Sequence, residues 1–284
     1  MPLNSVNTNL GAQIALESLN TTNAQLQATQ KRISTGYRVA DATDDGAAFA
    51  VAQKIRSSVS GLTTANQELG NVQGLLTTTT QSLTSVSDTA NKQLKSLLVS
   101  LSSGSVAGDT RTQDIAQYNE LMKGVKSNIQ GAGYNGKTLV GNLSGSLGTF
   151  SGVNVVKDDQ GGTYGIATFG GSAFFGSLSF NGTTLGSATA VAALLTTGGT
   201  FTKKLNALGT ALNTYGTVTT YVTNQVTYNS NKIDALNSGL GSLVDADLSK
   251  EAANLQALQT RQQLGTQALS IANQAPQSLL SLFK

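Results

Sequence analysis

The sequence contains no cysteine and no histidine, and its 284 residues include only two prolines, Pro2 and Pro276. A thiol nucleophile, an imidazole base and the usual zinc ligands are therefore absent. This argues against an enzyme and against a bound cofactor or metal, although carboxylate or Ser/Lys chemistry would still be available. Because both prolines lie near the chain ends, the interior is free to form long helices.

Charge and long apolar runs are also scarce. Charged residues make up 12% of the chain and the net charge is +3, which leaves no basic surface for nucleic acid. The longest apolar runs are six residues, at 47–52 and 190–195, far short of a membrane-spanning helix. The first basic residue is Lys31, and no apolar segment typical of a secretory signal follows the start. We therefore expect neither a nucleic-acid nor a membrane partner.

Apolar residues instead recur with a helical period. One series, spaced by seven, comprises Ile55, Leu62, Leu69, Leu76, Leu83, Ala90 and Leu97. A second comprises Leu205, Leu208, Leu212, Tyr215, Val222, Val226, Ile233, Leu236, Leu240 and Leu243, with Thr219 and Asn229 as polar interruptions. A polar residue within such a seam commonly fixes its register at some cost in stability. Since neither seam can remain exposed to water, we expect the two helical halves to pack on each other.

Residues 132–202 have a different character, because glycine, serine and threonine dominate them. Alternating stretches at 153–156 and 164–169 predict short strands and hairpins. The predicted fold class is therefore mainly α: a long coiled-coil-like bundle of paired N- and C-terminal halves, with a small β-rich insert.

The two ends form a third type of segment, amphipathic but nearly uncharged. Glu17 is the only charge among the first thirty residues, and nine of the thirty are Asn or Gln. The helix positions predicted to pack there are Leu3, Leu10, Leu19, Leu26 and Ile33 at the N-terminal end and Leu255, Leu258 and Leu269 at the C-terminal end. Such helices have little apolar surface to offset the entropy of ordering. We expect them to be ordered by packing against other copies of the chain.

Two short motifs imitate ligand sites. GAGYNGKT, residues 131–138, satisfies the phosphate-loop pattern, yet it follows a predicted helix and precedes a predicted strand, the reverse of the order that a phosphate loop requires. We interpret it as a helix stop, with Gly131 or Gly133 in the left-handed conformation, followed by an Asn135-Gly136 turn. DATDDG, residues 41–46, opens like a calcium loop, but Ala52 occupies the position of the closing glutamate. It is better explained as an N-cap with acids at a helix start.

Three separated motifs carry a family resemblance. ISTGYRVADATDDGAA, residues 33–48, resembles the signature that follows the first helix of bacterial flagellins, with matches at Ser34, Gly36, Arg38, Asp44 and Asp45. YNGKTL, residues 134–139, is similar to the family's F-N-G-x-x-L through Asn135 and Gly136. The ending ANQAPQSLLSL resembles the flagellin C-terminus through Asn273, Gln274 and Pro276.

The resemblance implies the structural subunit of a bacterial flagellar filament, exported unfolded through the flagellar type III apparatus to the cell exterior. It implies inner-core helices at 1–45 and 245–284, an outer-core bundle at 46–131 and 203–244, and the insert at 132–202. The implied partners are further copies of the chain, an export chaperone, and cap and hook-junction proteins. A hook–filament junction protein shares the terminal helices and is the alternative. An enzyme using Lys137 or the acids at 41–45 is the alternative from another class.

Overall fold

The computed structural model of the protein describes residues 8–281, with side chains as far as residue 274. In chain order its helices are α1 (Leu10–Thr35), α2 (Gly46–Asp88), a π-helix (Thr89–Leu94), α3 (Lys95–Leu101), α4 (Gly108–Gln130), α5 (Gly171–Leu178), α6 (Gly182–Gly186), α7 (Ala188–Leu195), α8 (Thr200–Val244) and α9 (Leu248–Ser281). The strands are β1 (Gly133–Tyr134), β2 (Lys137–Thr138), β3 (Thr149–Phe150), β4 (Val153–Val156) and β5 (Thr163–Ile166). The predicted mainly α fold class is confirmed. None of the helices within residues 8–281 is long and apolar enough to cross a membrane.

The described residues form two compact units. The terminal unit comprises residues up to Ser58 together with those from Asp234 onwards, and the central unit comprises Val59–Ile233. Both α2 and α8 contribute residues to each unit. The division predicted from the sequence, at 45/46 and 244/245, concerns layers of a polymer and stays a prediction.

Capping residues fix both ends of α1 and the start of α2. Asn9 Oδ1 accepts a hydrogen bond from the backbone N–H of Ala12 at 3.1 Å and so caps α1. Gly36 ends this helix with φ +75°, a left-handed conformation that glycine adopts without steric cost. Asp45 Oδ1 accepts from the N–H of Ala48 at 3.0 Å, which confirms DATDDG as the N-cap of α2.

The predicted heptad seam of α2 lies in the core of the central unit. Leu62, Leu69, Leu76 and Leu83 are each 0% exposed. Among the apolar residues of the seam predicted on α8, Leu208, Tyr215 and Val222 are buried, while Leu212, Val226 and Ile233 are half-buried. Hydrogen bonds from Asn66 to Ser230 and from Gln73 to Thr223 show that α2 and α8 run antiparallel. Within this unit the two seams therefore meet as expected.

Asn229, a polar interruption of the seam, is fully buried, and both its side-chain oxygen and its side-chain nitrogen are hydrogen-bonded. Its Nδ2 donates to Asn66 Oδ1 on α2 at 2.9 Å and to the carbonyl oxygen of Lys157 at 3.0 Å. Gln225 Nε2 donates to Asn229 Oδ1 and to the same Lys157 carbonyl, both at 3.1 Å. One amide thus aligns α2, α8 and the β4–β5 turn, because only one register brings all these groups together.

The π-helix shifts the seam beyond Ala90. A π-helical turn contains an extra residue, so the buried face advances along the sequence. Ala90, Leu94, Leu98 and Leu101 are completely buried, whereas the predicted seam residue Leu97 is half-buried at the edge of the core. The unbroken seven-residue spacing therefore describes α2 but not the helices that follow it.

The insert, predicted to be β-rich with strands at 153–156 and 164–169, contains short helices as well as strands. The predicted hairpin is present as β4 and β5, antiparallel from Val153↔Ile166 to Val156↔Thr163. β1, β2 and β3 form a second sheet in that order, the first pair antiparallel and the second parallel. Residues 171–195 instead form α5, α6 and α7, which bury side chains spaced four to seven residues apart: Phe174, Leu178, Leu185 and Val191. The need to cover the bundle core overrides the Gly/Ser/Thr composition.

As predicted, a helix ends just before GAGYNGKT, but the strands do not follow the motif: β1 and β2 lie within it and pair as a short antiparallel hairpin. Asn135 and Gly136 have φ of 47° and 74° and form the expected tight turn. The expectation of a left-handed Gly131 or Gly133 was wrong, since Gly131 has φ −75° and Gly133 lies in β1. Gly133 is instead required by close approach, because a Cβ there would collide with the carbonyl oxygen of Leu147.

Candidate assembly surface of the terminal unit

Helices α1 and α9 form an antiparallel hairpin held largely by polar contacts. Asn9 Nδ2 donates to the carbonyl oxygen of Ala272 at 2.7 Å, and Gln262 Nε2 donates to Asn23 Oδ1 at 2.7 Å. At the other end of the hairpin Arg32 Nη1 lies 3.2 Å from Glu251 Oε1. These pairs match residues from the two chain ends, so the hairpin joins the first and last parts of the protein.

Apolar burial along this hairpin is slight. Leu258 is buried, at 7% exposure, whereas Leu19, Leu26, Leu255 and Leu269 are only half-buried. The partner helix alone therefore does not cover these predicted packing residues, and their role in subunit packing stays a prediction.

Several large apolar side chains on the hairpin are mostly exposed. Their exposed fractions are 56% for Leu10, 60% for Ile14, 47% for Leu16, 65% for Leu264 and 63% for Ile271. Isolated exposed leucines are ordinary, but clustered exposed apolar residues mark an interaction surface.

Part of this surface is a groove of about 750 Å³ between the two helices. Its lining combines apolar residues, among them Ile14, Leu19 and Leu264, with the charged side chains of Glu17 and Arg261. A groove with apolar walls and few charges can accept a helix face of similar composition.

The turns that precede α2 and α9 are hydrogen-bonded to each other. The backbone N–H groups of Arg38 and Val39 donate to the carbonyl oxygen of Val244 at 2.7 and 3.3 Å. Arg38 Nη2 donates to the carbonyl oxygen of Leu243 at 2.5 Å. The backbone N–H of Ala246 donates to the carbonyl oxygen of Gly36 at 2.9 Å. Two of the motif residues, Gly36 and Arg38, thus join chain segments that are more than 200 residues apart in sequence.

An ion cluster closes the α1–α2 turn. Lys31 Nζ lies 2.7 Å from Asp41 Oδ2 and 2.9 Å from Asp44 Oδ2. These hydrogen bonds from Lys31 hold the pKa of both carboxyl groups below their usual range, and they raise the pKa of Lys31. The acids of DATDDG therefore bind a lysine and, through Asp45, the start of α2.

The remaining predicted packing residues lie in both units. The core of the central unit contains Leu62, Leu69, Leu76, Leu83 and Val222, and the half-buried residues beside it are Leu97, Leu212, Val226 and Ile233. The terminal unit contains four more that are half-buried: Ile33, Ile55, Leu236 and Leu240. Ser34 donates from Oγ to the carbonyl oxygen of Lys31 at 2.9 Å, and Asn273 and Gln274 are exposed. Leu3 and the side chain of Pro276 lie outside the described part of the chain.

Sequence reasoning missed several members of the surface. Ile14 and Leu16 stand outside the seven-residue spacing used to select the N-terminal residues, although Ile14 follows Leu10 by one helical turn, and Ile271 was not among the residues selected in the C-terminal helix. The Arg32–Glu251 pair and the contacts of Arg38 had no local signal, since each joins residues from opposite chain ends.

A helical bundle with its own core, together with a terminal hairpin whose apolar side chains stay uncovered, is the arrangement expected of a subunit that assembles with further copies. The family model for the bacterial flagellin N-terminal helical region matches residues 6–144, and the model for the bacterial flagellin C-terminal helical region matches residues 199–283. The chain is 35% identical to flagellin FljM of Caulobacter vibrioides, with all of both chains covered. It is 32% identical to a flagellin of Brucella melitensis over 99% of each chain, and 30% identical to flagellin C of Rhizobium meliloti over 99% of this chain and all of that one.

The chain belongs to the bacterial flagellin family. It is a structural subunit of the bacterial flagellar filament, and the hook–filament junction alternative receives no specific support from these relatives.

Proposed function

We propose that the α1–α9 hairpin forms the inner layer of the filament, with the helices of 46–131 and 203–244 forming the layer around it. The supporting observation is the set of exposed apolar side chains on the hairpin, led by Leu264 at 65% and Ile271 at 63%. Fully burying one such side chain contributes about 1.5–3 kcal/mol, so copies that cover each other's hairpins gain stability at every contact. A contact of this kind that does not close on itself propagates as a helical fibre.

The composition suits the same role outside the cell. A chain without cysteine cannot form accidental cross-links in an oxidising environment, and one with 12% charged residues allows dense packing of many copies. We infer that the subunit is secreted, being exported unfolded by the flagellar type III apparatus. On family grounds its further partners are an export chaperone and the cap and hook-junction proteins.

We infer a role without catalysis. The motif that imitates a phosphate loop is engaged in its own turn, because Thr138 Oγ1 accepts hydrogen bonds from the N–H groups of Val140 and Gly141, both at 3.3 Å. The acids that imitate a calcium loop bind Lys31. Both motifs thus serve the folding of a structural subunit.

Sedimentation of purified chains under polymerising conditions tests the inner-layer assignment. Leu264→Ser should abolish or strongly reduce the sedimenting fraction and leave the melting temperature of the monomer unchanged. Leu147→Ser is the matched control, because Leu147 is 64% exposed but lies in the insert. Assembly that tolerates Leu264→Ser as well as it tolerates Leu147→Ser would contradict the assignment.

A further inference from the structure

The terminal hairpin carries two charges along most of its length, and they are of opposite sign. Glu17 is the only charged residue in 8–30, and Arg261 is the only one in 252–281. Both side chains are exposed, and both line the groove that also contains Ile14 and Leu264. Each copy of the chain therefore offers one acid and one base on the same surface.

Neither charge is paired within the described part of the chain. Glu17 and Arg261 take part in none of the ion pairs there, and their neighbours one helical turn away, such as Gln13 and Thr21 for Glu17 and Ala257 and Gly265 for Arg261, are uncharged. Pairing along a single helix is thus impossible for both.

The hairpin contacts also place the two charges at different heights. The Leu19 side chain lies against Gly265, and Asn23 binds Gln262, so both contacts fall between Glu17 and Arg261 along the hairpin. Glu17 lies roughly seven residues from the level of Arg261, or about 10 Å along the helix axis at the usual helical rise. The offset favours contact with a chain that is shifted along the same axis.

We propose that Glu17 of one subunit forms an ion pair with Arg261 of a neighbouring subunit in the filament. This inference rests on the proposed inner-layer function of the hairpin. A neighbour that covers the exposed Ile14 and Leu264 also removes the two charges from water, and an unpaired charge in such a contact is strongly unfavourable. One acid and one base per copy satisfy each other throughout a head-to-tail polymer.

Charge reversal tests the pair. Glu17→Arg and Arg261→Glu should each raise the critical concentration for assembly, by about 30-fold or more if the pair is desolvated. An equimolar mixture of the two variants should assemble better than either alone, because each supplies the charge that the other lacks. Lys250→Glu is the control for a change of net charge, since Lys250 is exposed at the start of α9 and lies outside the groove.

The outcomes separate the possible arrangements. A pair within one chain would be restored in the double variant Glu17→Arg/Arg261→Glu but not in the mixture, and that result would overturn the proposal. Single variants that assemble like the parent chain would also overturn it while leaving the inner-layer function intact. Failure of the parent chain itself to form filaments would instead reject the proposed function.

Cross-linking provides a direct readout, because the parent chain has no cysteine. Filaments grown from a mixture of Glu17→Cys and Arg261→Cys chains should give a covalent dimer with a short bismaleimide. The same mixture kept monomeric should give none, and filaments of either variant alone should give much less. Equal dimer yields from mixed and unmixed filaments would contradict the predicted contact.

Discussion

The terminal and central units use the same helical periodicity with opposite results for burial. In the central unit the leucines spaced by seven are completely covered by the chain's own helices, from Leu62 to Leu83. In the terminal unit most of the corresponding leucines are half-buried or exposed, Leu258 being the buried one among those described, and their neighbours Ile14 and Ile271 are 60% and 63% exposed. Periodicity thus identifies the apolar side of a helix, while the number of available partners decides whether that side is buried.

The difference also separates stability from assembly. Apolar burial stabilises the central unit in the monomer, whereas the terminal hairpin is held by a few polar contacts such as Asn9 with Ala272 and Asn23 with Gln262. Hydrogen bonds of this kind contribute about 1 kcal/mol each, so under the proposed inner-layer arrangement the hairpin would gain most of its stability from burial against other copies.

Removal of the residues after Asp247 should have the largest effect. The truncation deletes α9 and with it one half of the hairpin, so polymerisation should be abolished. The heptad core of the central unit does not include α9, so the truncated chain should keep a cooperative thermal transition and a strongly helical circular dichroism spectrum. Normal filaments from this chain, seen by electron microscopy, would remove the basis for placing the hairpin in the inner layer.

Leu76→Ala and Leu264→Ala form a matched pair, one residue being 0% and the other 65% exposed. Leu76→Ala should lower the free energy of unfolding by about 2–5 kcal/mol, because it leaves a cavity in a packed core. Leu264→Ala should change the stability of the monomer by less than about 0.5 kcal/mol. Chemical denaturation of both monomers measures the difference, and equal losses would show that the two units are not distinguished by burial.

Asn229→Ala tests the polar alignment within the central unit. It leaves Asn66 Oδ1 and the Lys157 carbonyl oxygen without the donor that Asn229 supplies, so we expect the free energy of unfolding to fall by about 1–3 kcal/mol. Asn224→Ala is the control, because Asn224 is an exposed residue on the same helix. A loss no greater than that of the control would mean that the buried amide does not support the packing of α2 on α8.

The sequence predicted most reliably those features that a regular spacing reports. The heptad series predicted the buried positions correctly through α2 to Leu83 and on to Ala90 in the π-helix, because seven-residue spacing is itself the signature of a continuous buried helix face. The sequence carried no sign of the π-helix after Asp88, since one extra residue in a helical turn has no distinctive composition. The helices at 171–195 were missed because their glycines and serines favour turns locally, and burial of Phe174 and Leu178 in the bundle core outweighs that preference.

The candidate site was predictable only in outline. The scarcity of charge at both ends led to the prediction of a surface completed by other copies, and the apolar pattern selected Leu10, Leu19 and Leu258 as packing residues, which the structure places on the hairpin. The contacts that shape the unit were not predictable, because Arg38 and Glu251 each bind a residue over 200 positions away. Pairings of this kind depend on the completed fold and have no local pattern.

The smallest expected effect concerns pH and the Lys31 cluster in the terminal unit. The hydrogen bond from Lys31 lowers the pKa of Asp44 in the folded chain, so the cluster contributes stability above the ordinary carboxyl pKa of about 4 and loses it as pH falls through the lowered value. Asp44→Asn removes the charge but retains an oxygen that can accept from the N–H groups of Ala40 and Asp41. The variant should melt slightly below the parent at pH 7.

The gap in melting temperature should then shrink toward zero as the pH is lowered below about 4, because the parent carboxylate also becomes neutral. It should shrink with added salt as well, since exposed ion pairs are screened. Asp234→Asn serves as the control, because Asp234 is exposed on α8 and takes part in none of the ion pairs of the described residues. A gap for Asp44→Asn that persists at pH 2 would show that the side chain stabilises the turn through its shape and hydrogen bonds rather than through its charge.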